Sequence, residues 1–430
     1  MLNKVIRLVA LLLAMAIMLS LFAGCGAQTD SKPSGTGNNE NTDSEIEFLV
    51  DPEDYRGTKV IYATWKDPDQ NEDGPVVKAF EEKYGIDVEI MLLYQGTYVS
   101  SISAAIAANN QPDIFFETGF FPSAMTVLQP LDAAKINYDD PIWRQSTLKD
   151  STLDGHPYLI DALSNVWSEV DICVYNKRIF EDNNLTSPQD YYDAGKWTYE
   201  AFRECAKQVV ALGKGYLGAE VRGNVALCAA GSEIVTYQNG EFKTKIDNHL
   251  YDVMTFLAQM RADGYIRHGL EGFTDGKTGM ALTNCFALKK TGFFTTINPD
   301  HLGALPTPTW EEGGEHYTTG IRRAWGIVKG AKNPVAAGIF LREYLDVNNY
   351  DLDNTFHNSE VANFFFKVTG VEDNNMIYHQ APDEYYNIWD TYSPAQVKGY
   401  LDSQVNVLNN FCEQSNEILA TEKKWLAENF

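Results

Sequence analysis

The stretch that decides the fold is DGHPYLIDALSNVWSEVDICVYNKRIF, Asp154–Phe180. It opens on an Asp154-Gly155 turn, runs through residues too rich in β formers for a helix, and closes on Tyr175-Asn176-Lys177. Its middle is polar, with Asp161, Ser164, Asn165 and Glu169 set among Leu163, Val166 and Trp167. One reading is a single long strand. The other is a strand that leaves one lobe and enters a second, carrying its polar middle through a cleft. The flanking sequence has to decide between them.

Upstream, Lys59–Trp65 (KVIYATW) reads as a strand ending in an aromatic. Val76, Val77, Phe80 and Tyr84 share a helical face, Asp87–Leu93 reads as the next strand, and Tyr98–Asn109 as a helix stopped before Pro112. Ile114–Phe116 is a short buried strand that emits Glu117, Thr118, Gly119 and Phe120 as a loop. This alternation predicts a mostly parallel sheet covered by helices. Ligands of such sheets sit beyond the carboxyl ends of the strands, which puts Trp65 and Glu117 at one mouth.

Downstream, Trp197–Leu212 reads as a helix capped by Thr198, with Trp197 as a structural staple. Leu250–Met260 is a second helix. Met280–Leu282 is a short strand running into a polar loop, Thr283-Asn284, with Phe286 just beyond. Strands at Leu302–Leu305 and Ala324–Val328 follow, then a helix over Val335–Leu345 opened by Pro334, and helices over Ser359–Phe366 and Pro394–Lys424.

The N-terminus reads as targeting. Lys4 and Arg7 precede the apolar run Leu8–Phe22, and small residues lead to Cys25. Met1–Gly24 is therefore taken as a signal peptide and Cys25 as a lipidated first mature residue; a plain secretory peptide or an uncleaved anchor is the alternative. Two or more acyl chains on that cysteine would hold the protein firmly to a membrane. Gly26–Glu47 has almost nothing to bury and reads as a flexible tether, so the tail is 25–47.

The body that remains exceeds the usual size of one domain. With 34 basic against 59 acidic residues the chain carries −25, and −27 once Lys4 and Arg7 are removed. So acidic a body repels nucleic acid and anionic lipid surface, and neither is expected as a partner. The other cysteines, Cys173, Cys205, Cys228, Cys285 and Cys412, are scattered, and no CxxC or HExxH occurs. No metal, cofactor or disulfide scaffold is expected.

Four stretches together resemble the sugar-binding (maltodextrin-binding-like) extracellular solute-binding proteins of ABC importers. They are QPDIFFETG (Gln111–Gly119); DGHPYLI followed by YNKRIF (Tyr175–Phe180); KWTYEAF (Lys196–Phe202); and GKTGMALTNCF (Gly276–Phe286) before GIVKGAKNP (Gly326–Pro334). The resemblance implies an α/β, two-lobed periplasmic-binding-protein-like fold, each lobe a mostly parallel sheet flanked by helices, with a hinge between. It places crossovers near Leu159–Asn165, Gly320–Trp325 and Val368–Trp389. Lobe one is then 48–160 plus 325–369, and lobe two 161–324 plus 370–430. It further implies a monomer that captures a carbohydrate, an oligosaccharide, and delivers it to the two permease subunits from the outer face of the cell membrane.

A sugar has apolar C–H faces and a rim of hydroxyls; flat aromatics cover the first, and carboxylates, amides and guanidinium groups take the second. Trp65, Trp167, Phe286 and Trp325 are the candidate rings; Glu117, Asn165, Asn284 and Arg322 are the candidate rim partners. Trp143 and Trp389 fit either the groove or lobe packing, while Trp310 and Trp425 look structural. Asn284-Cys285-Phe286 departs from the Gly-Ser-Trp or Gly-Pro-Trp of many relatives, leaving Phe286 the stacking position with a smaller ring. The Arg322-Arg323 pair either faces an acidic solute or, the simpler reading, pairs within the acidic body. Rival functions are a hydrolase using Glu117 and Glu169, or a surface lipoprotein outside transport; no GxSxG, Walker A or GxGxxG supports another chemistry.

Overall fold

Along Lys59–Thr64 the even residues Val60 and Tyr62 point to one face of a sheet and Ala63 to the other. That period of two recurs through ten strands, which build two principal sheets in this computed structural model. They are β1 Lys59–Thr64, β2 Asp87–Leu92, β3 Ile114–Thr118, β4 Leu128–Gln129, β5 Asp171–Asn176, β6 Leu217–Val221, β7 Ile266–His268, β8 Thr278–Asn284, β9 Leu302–Pro306 and β10 Arg323–Val328. The structure describes residues 48–430 except 69–71, 120, 167–169, 271, 293, 295, 321–322, 370–375 and 379. Met1–Gly24, Cys25, the tether, Trp167, Glu169 and Arg322 lie outside the described residues.

The first sheet runs β2-β1-β3-β10-β4 and the second β7-β6-β8-β5-β9. Three strands of each are parallel to one another: β1 with β2 and β3, and β6 with β7 and β8. The fourth strand of each is antiparallel to both its neighbours: β10 against β3 and β4, and β5 against β8 and β9. The sheets are therefore mixed, with two parallel and two antiparallel pairings each, where strand–helix alternation alone predicts a mostly parallel sheet. The reversed strands are those that the chain enters from the other sheet, a step that alternation does not show.

Helices cover both faces of each sheet, as buried sheets of this kind require. On the first, Val60, Tyr62, Ile114, Phe116, Trp325 and Ile327 pack against α1 (Asp73–Tyr84) and α5 (Pro334–Tyr344). The opposite residues, Ala63, Phe115 and Ala324, join Tyr98 and Ile102 of α2 (Tyr98–Ala107). On the second, Cys173, Met280 and Leu282 meet Phe202, Cys205 and Val209 of α3 (Tyr199–Val210) and Leu257 of α4 (Asn248–Ala262). α3 starts where predicted: the Thr198 hydroxyl accepts the Ala201 N–H at 3.2 Å, and Trp197 is buried with its indole N–H donating to the Pro306 carbonyl at 2.9 Å.

The other face of the second sheet is covered by a helix from later in the chain. Val361 and Phe365 of α6 (Ser359–Thr369) pack with Val170, Ile172 and Val174. A lobe boundary at 369 assigns α6 to the first sheet, but its apolar stripe is buried against the second. The last helix, α7 (Pro394–Asn429), is 36 residues long and touches both halves. Tyr251 of α4 donates to Asp402 at 2.5 Å, and the Asn416 amide bonds the Phe242 backbone on both its N–H and C=O. Near the far end, Glu422 accepts from Tyr158 at 3.1 Å and Lys329 at 2.8 Å, on the first-sheet side.

Asp154–Phe180 is not one strand. Residues 152–153 and 156–157 form a small hairpin, and Ile160 pairs with Trp325 through two backbone hydrogen bonds of 2.9 Å. Ala162 bridges to Trp143, and β5 begins only at Asp171. The stretch leaves the first sheet at Ile160 and enters the second eleven residues later, at Asp171.

Candidate functional site

Both sheets send aromatic residues from their strand ends to one place. Trp65 follows β1 directly and packs against two buried clusters, one on the α1 and α5 face of the first sheet and one that holds residues of both sheets. Phe286 sits in the 3-10 turn Cys285–Leu288 that follows β8, yet packs against the first sheet's cluster. Between the two rings lies the Lys66 ammonium, 4.8 Å from the Trp65 centroid and 5.0 Å from the Phe286 centroid. Lys289 lies 5.3 Å from the Phe286 ring, and the Arg323 guanidinium 5.9 Å from the Trp65 ring.

This is a crowded electrostatic centre. Lys289 is fully buried and paired with Glu72, just before α1. Burial pushes Lys289 below the ordinary lysine range, with Arg323 adding to the effect, while Glu72 and Asp73 pull it back. Burial pushes Lys66 down to about 7, helped by the neighbouring Arg323 and Lys289 and opposed by Asp73 and Glu72. The Trp65 indole N–H is buried without a hydrogen-bond partner, as is the Oδ1 of Asn284. Asn284 ends β8, opposite Asp171, two residues before Phe286. Its orphan acceptor and the tryptophan's orphan donor suit a hydroxyl-rich ligand.

Other predicted residues are used differently. Trp325 has no exposed surface; it stacks on Phe116 at 4.7 Å, and its indole N–H donates to the Tyr62 hydroxyl at 3.0 Å. β10 lies inside the sheet beneath α5, so this face is core and no solute reaches the ring. Asn165 is buried in the crossover, its amide donating to Asp161 at 2.6 Å. Arg144 bonds the same carboxylate at 3.3 Å and the Leu163 carbonyl at 3.0 Å. Burial pushes Asp161 up to about 6, outweighing the pull of Arg144 and Asn165. Asp161 thus gathers Asn165 and Arg144 inside the crossover.

Glu117 lies within β3 rather than in a loop, is buried, and accepts the Phe121 N–H at 3.0 Å. Trp143 and Trp389 are both buried, Trp143 donating to the Asn137 carbonyl at 2.8 Å. Trp310 packs its ring on Tyr199 and Phe256, and Lys329 covers the Trp425 ring. Sequence reasoning missed Lys66, Glu72 and Lys289. Lys66 adjoins Trp65 and Lys289 is three residues past Phe286, but an exposed lysine beside an aromatic gives the same signal.

Two open clefts lie near α7. One, about 580 Å³, is lined by Lys149, Asp154, Tyr237, Asn239 and Lys423. The other, about 440 Å³, lies beside Gly119, Phe121 and Ser123, against Ala381, Asp383 and Phe411. The second begins two residues beyond Glu117, on the carboxyl side of β3.

Residues 62–347 match the family model described as bacterial extracellular solute-binding protein. The chain belongs to that family. The match begins inside β1 and ends just beyond α5, so it covers both sheets. Solved structures of the same two-lobed fold include the cyclic α-maltosyl-1,6-maltose binding protein of Arthrobacter globiformis: TM-score 0.61, 14% identity, covering 84% of this chain and 99% of that one. The sugar-binding protein MalE of Xanthomonas citri aligns at TM-score 0.60 and 14% identity over 87% and 100%. An ABC substrate-binding protein of Listeria monocytogenes, in complex with cycloalternan, aligns at TM-score 0.58 and 16% identity over 84% and 99%. Among curated proteins none matches. No helix among the described residues is long and apolar enough to cross a membrane.

Proposed function

We propose that this solute-binding protein is the lipid-anchored receptor of an ABC importer, capturing an oligosaccharide between its two lobes. The observation that carries the reading is the meeting of Trp65 and Phe286, each supplied by the strand ends of a different sheet. A ring from each side encloses the two apolar faces of a sugar, and Asn284 and the Trp65 N–H offer an acceptor and a donor to its rim. The saccharide ligands named for the structural neighbours support the same class.

Closure follows from this division. A solute touching one sheet's ring alone gains half the contacts, so binding shifts the population toward the closed form. The permease subunits would dock on the rims of the closed lobes. Cys25 would fix the protein to the outer face of the cytoplasmic membrane, with 26–47 as the tether and the folded body monomeric. The lobes would divide near Ile160 and Arg323, the α6 segment going with the second sheet.

A hydrolase is the weaker reading. Glu117 lies within β3 with no exposed surface to meet a substrate, and accepts the Phe121 N–H. Heating the protein with a panel of saccharides tests the binder directly, because only a ligand of the folded state raises the melting temperature. Stabilisation by one sugar with no product after long incubation supports capture; product formation refutes it, and a panel without any stabilising sugar favours a surface lipoprotein outside transport. Cys25→Ser should abolish lipid labelling and release the protein from membranes; unchanged labelling removes the anchor.

A further inference from the structure

The open groove beside Gly119 begins one strand away from the ring pair. β3 runs parallel to β1 with Ala63 opposite Phe115, and the same register carried onward sets Trp65 level with Glu117, two residues before Gly119. With strands about 4.8 Å apart and a rise of about 3.3 Å per residue, the groove opens about 8 Å from the Trp65 backbone. Its walls divide as the rings do. Gly119 and Phe121 follow β3 of the first sheet, whereas Ala381 and Asp383 belong to a segment that packs on the second. There Trp389 meets His268 of β7 edge-on, with ring centroids 6.4 Å apart, and the Tyr386 carbonyl lies close on Gly223, just past β6. The floor is one face of α7, where Phe411, Gln414 and Ile418 stand at i, i+3 and i+7.

The lining mixes the two kinds of group a saccharide needs. Phe121 and Phe411 are half-buried rings packed on the core beneath, and Gln380 and Gln414 each bring an amide with both donors and an acceptor. The volume, about 440 Å³, lies within the range of a complete small-ligand pocket and exceeds what one sugar ring fills. We propose that the solute is a chain of at least three sugar units. One unit lies between Trp65 and Phe286, and the others run past the end of β3 into this groove, with Phe411 as a platform and Gln380 and Gln414 on the hydroxyls. This rests on the reading of the ring pair as the sugar site. The opposite direction along the sheet end leads to Tyr94, next to Leu93, whose N–H donates to the Thr64 carbonyl at 2.9 Å. That ring is 78% exposed and lines neither open cleft, so the groove is the better path for a second and third unit.

The test uses the full chain in mild detergent, with calorimetry and thermal shift against malto-, cello-, xylo- and manno-oligosaccharides of each length from disaccharide to pentasaccharide. In the series that binds, the tetrasaccharide should bind at least tenfold more tightly than the disaccharide. Gln414→Ala, at an exposed position of α7, should lose at least threefold in tetrasaccharide affinity and stay within twofold of the parent for the disaccharide. Phe411→Ala should show the same split with a larger loss, whereas Phe286→Ala should weaken both lengths alike. Equal affinity for the two lengths overturns the groove assignment and leaves the ring pair standing. Equal losses for the two lengths in both α7 variants overturn it as well, since the helix would then act on closure and not by contact. A length-dependent loss in Tyr94→Ala with none in Gln414→Ala sends the chain the other way and overturns it too. A panel in which no saccharide binds overturns the sugar site itself.

Discussion

The two principal sheets share one pattern of strand directions and have opposite chain histories. Each has three parallel strands, a reversed fourth and a fifth that turns back. In the first sheet the reversed strand, β10, is the last to be added, after the chain has built the whole second sheet. In the second sheet the reversed strand, β5, comes first. The reversed strand is therefore the one attached to a crossing in both, and the crossings touch: Ile160, leaving the first sheet, is hydrogen-bonded to Trp325, just after the return. A pair of lobes joined this way is held at a junction inside one sheet, and not through an independent linker.

The largest effect should come from that junction. Trp325→Ala removes a fully buried ring that packs on Phe116 and Tyr344, and should cost about 3–5 kcal/mol of stability in denaturant titration. A loss of solute affinity at unchanged stability would return this residue to the binding site. Asp161→Ala leaves Arg144 buried without its carboxylate and should cost about 3 kcal/mol. Because burial holds Asp161 up at about 6, above its unfolded range, its contribution is full below about pH 4 and lost as the pH rises through 6. Asp161→Asn should flatten that slope in melting temperatures measured from pH 4 to 7; an unchanged slope would mean the carboxyl titrates normally.

At the ring pair, Phe286→Ala should weaken solute binding by about thirtyfold, about 2 kcal/mol of lost apolar contact, with the fold intact. An affinity within twofold of the parent would put the cleft elsewhere, with the groove beside Gly119 as the next place to look. The smallest effect is confined to the second sheet. Thr198→Ala deletes the cap of α3 and should cost about 1 kcal/mol, leaving solute affinity unchanged once the protein is folded.

Much of this architecture was legible because helix and strand periods are local properties. Val76, Phe80 and Tyr84 mark α1, and Thr198 marks the start of α3, without reference to anything distant. The reversal of β5 and β10 was not legible, since strand direction depends on which sheet a crossing delivers the chain to. The site shows the same divide. Trp65 and Phe286 stood out because flat rings at strand ends are informative by type, and the structure brings both beside Lys66. Trp325 carries the same signal and is core, because β10 lies under α5, a fact that only the sheet order reveals. Asn165 failed for another reason: its partners Asp161 and Arg144 are near in sequence, but nothing local shows that they close on one another. Lys66 and Lys289 were missed because a lysine reads as solvated until its neighbours are seen.

The final helix has a mechanical consequence. At 36 residues α7 is about 54 Å long, and it is pinned to the second-sheet half through Asp402 and Asn416 and to the first through Glu422. A rod fastened at both ends would act as a spring between lobes that open and close. Widening the gap between the lobes must either bow the rod or unfasten Glu422 from Tyr158 and Lys329, and either step takes free energy that is returned when the jaw shuts. The resting gape of the lobes, and hence how long a solute waits for release, would then be set in part by Glu422 and its two partners.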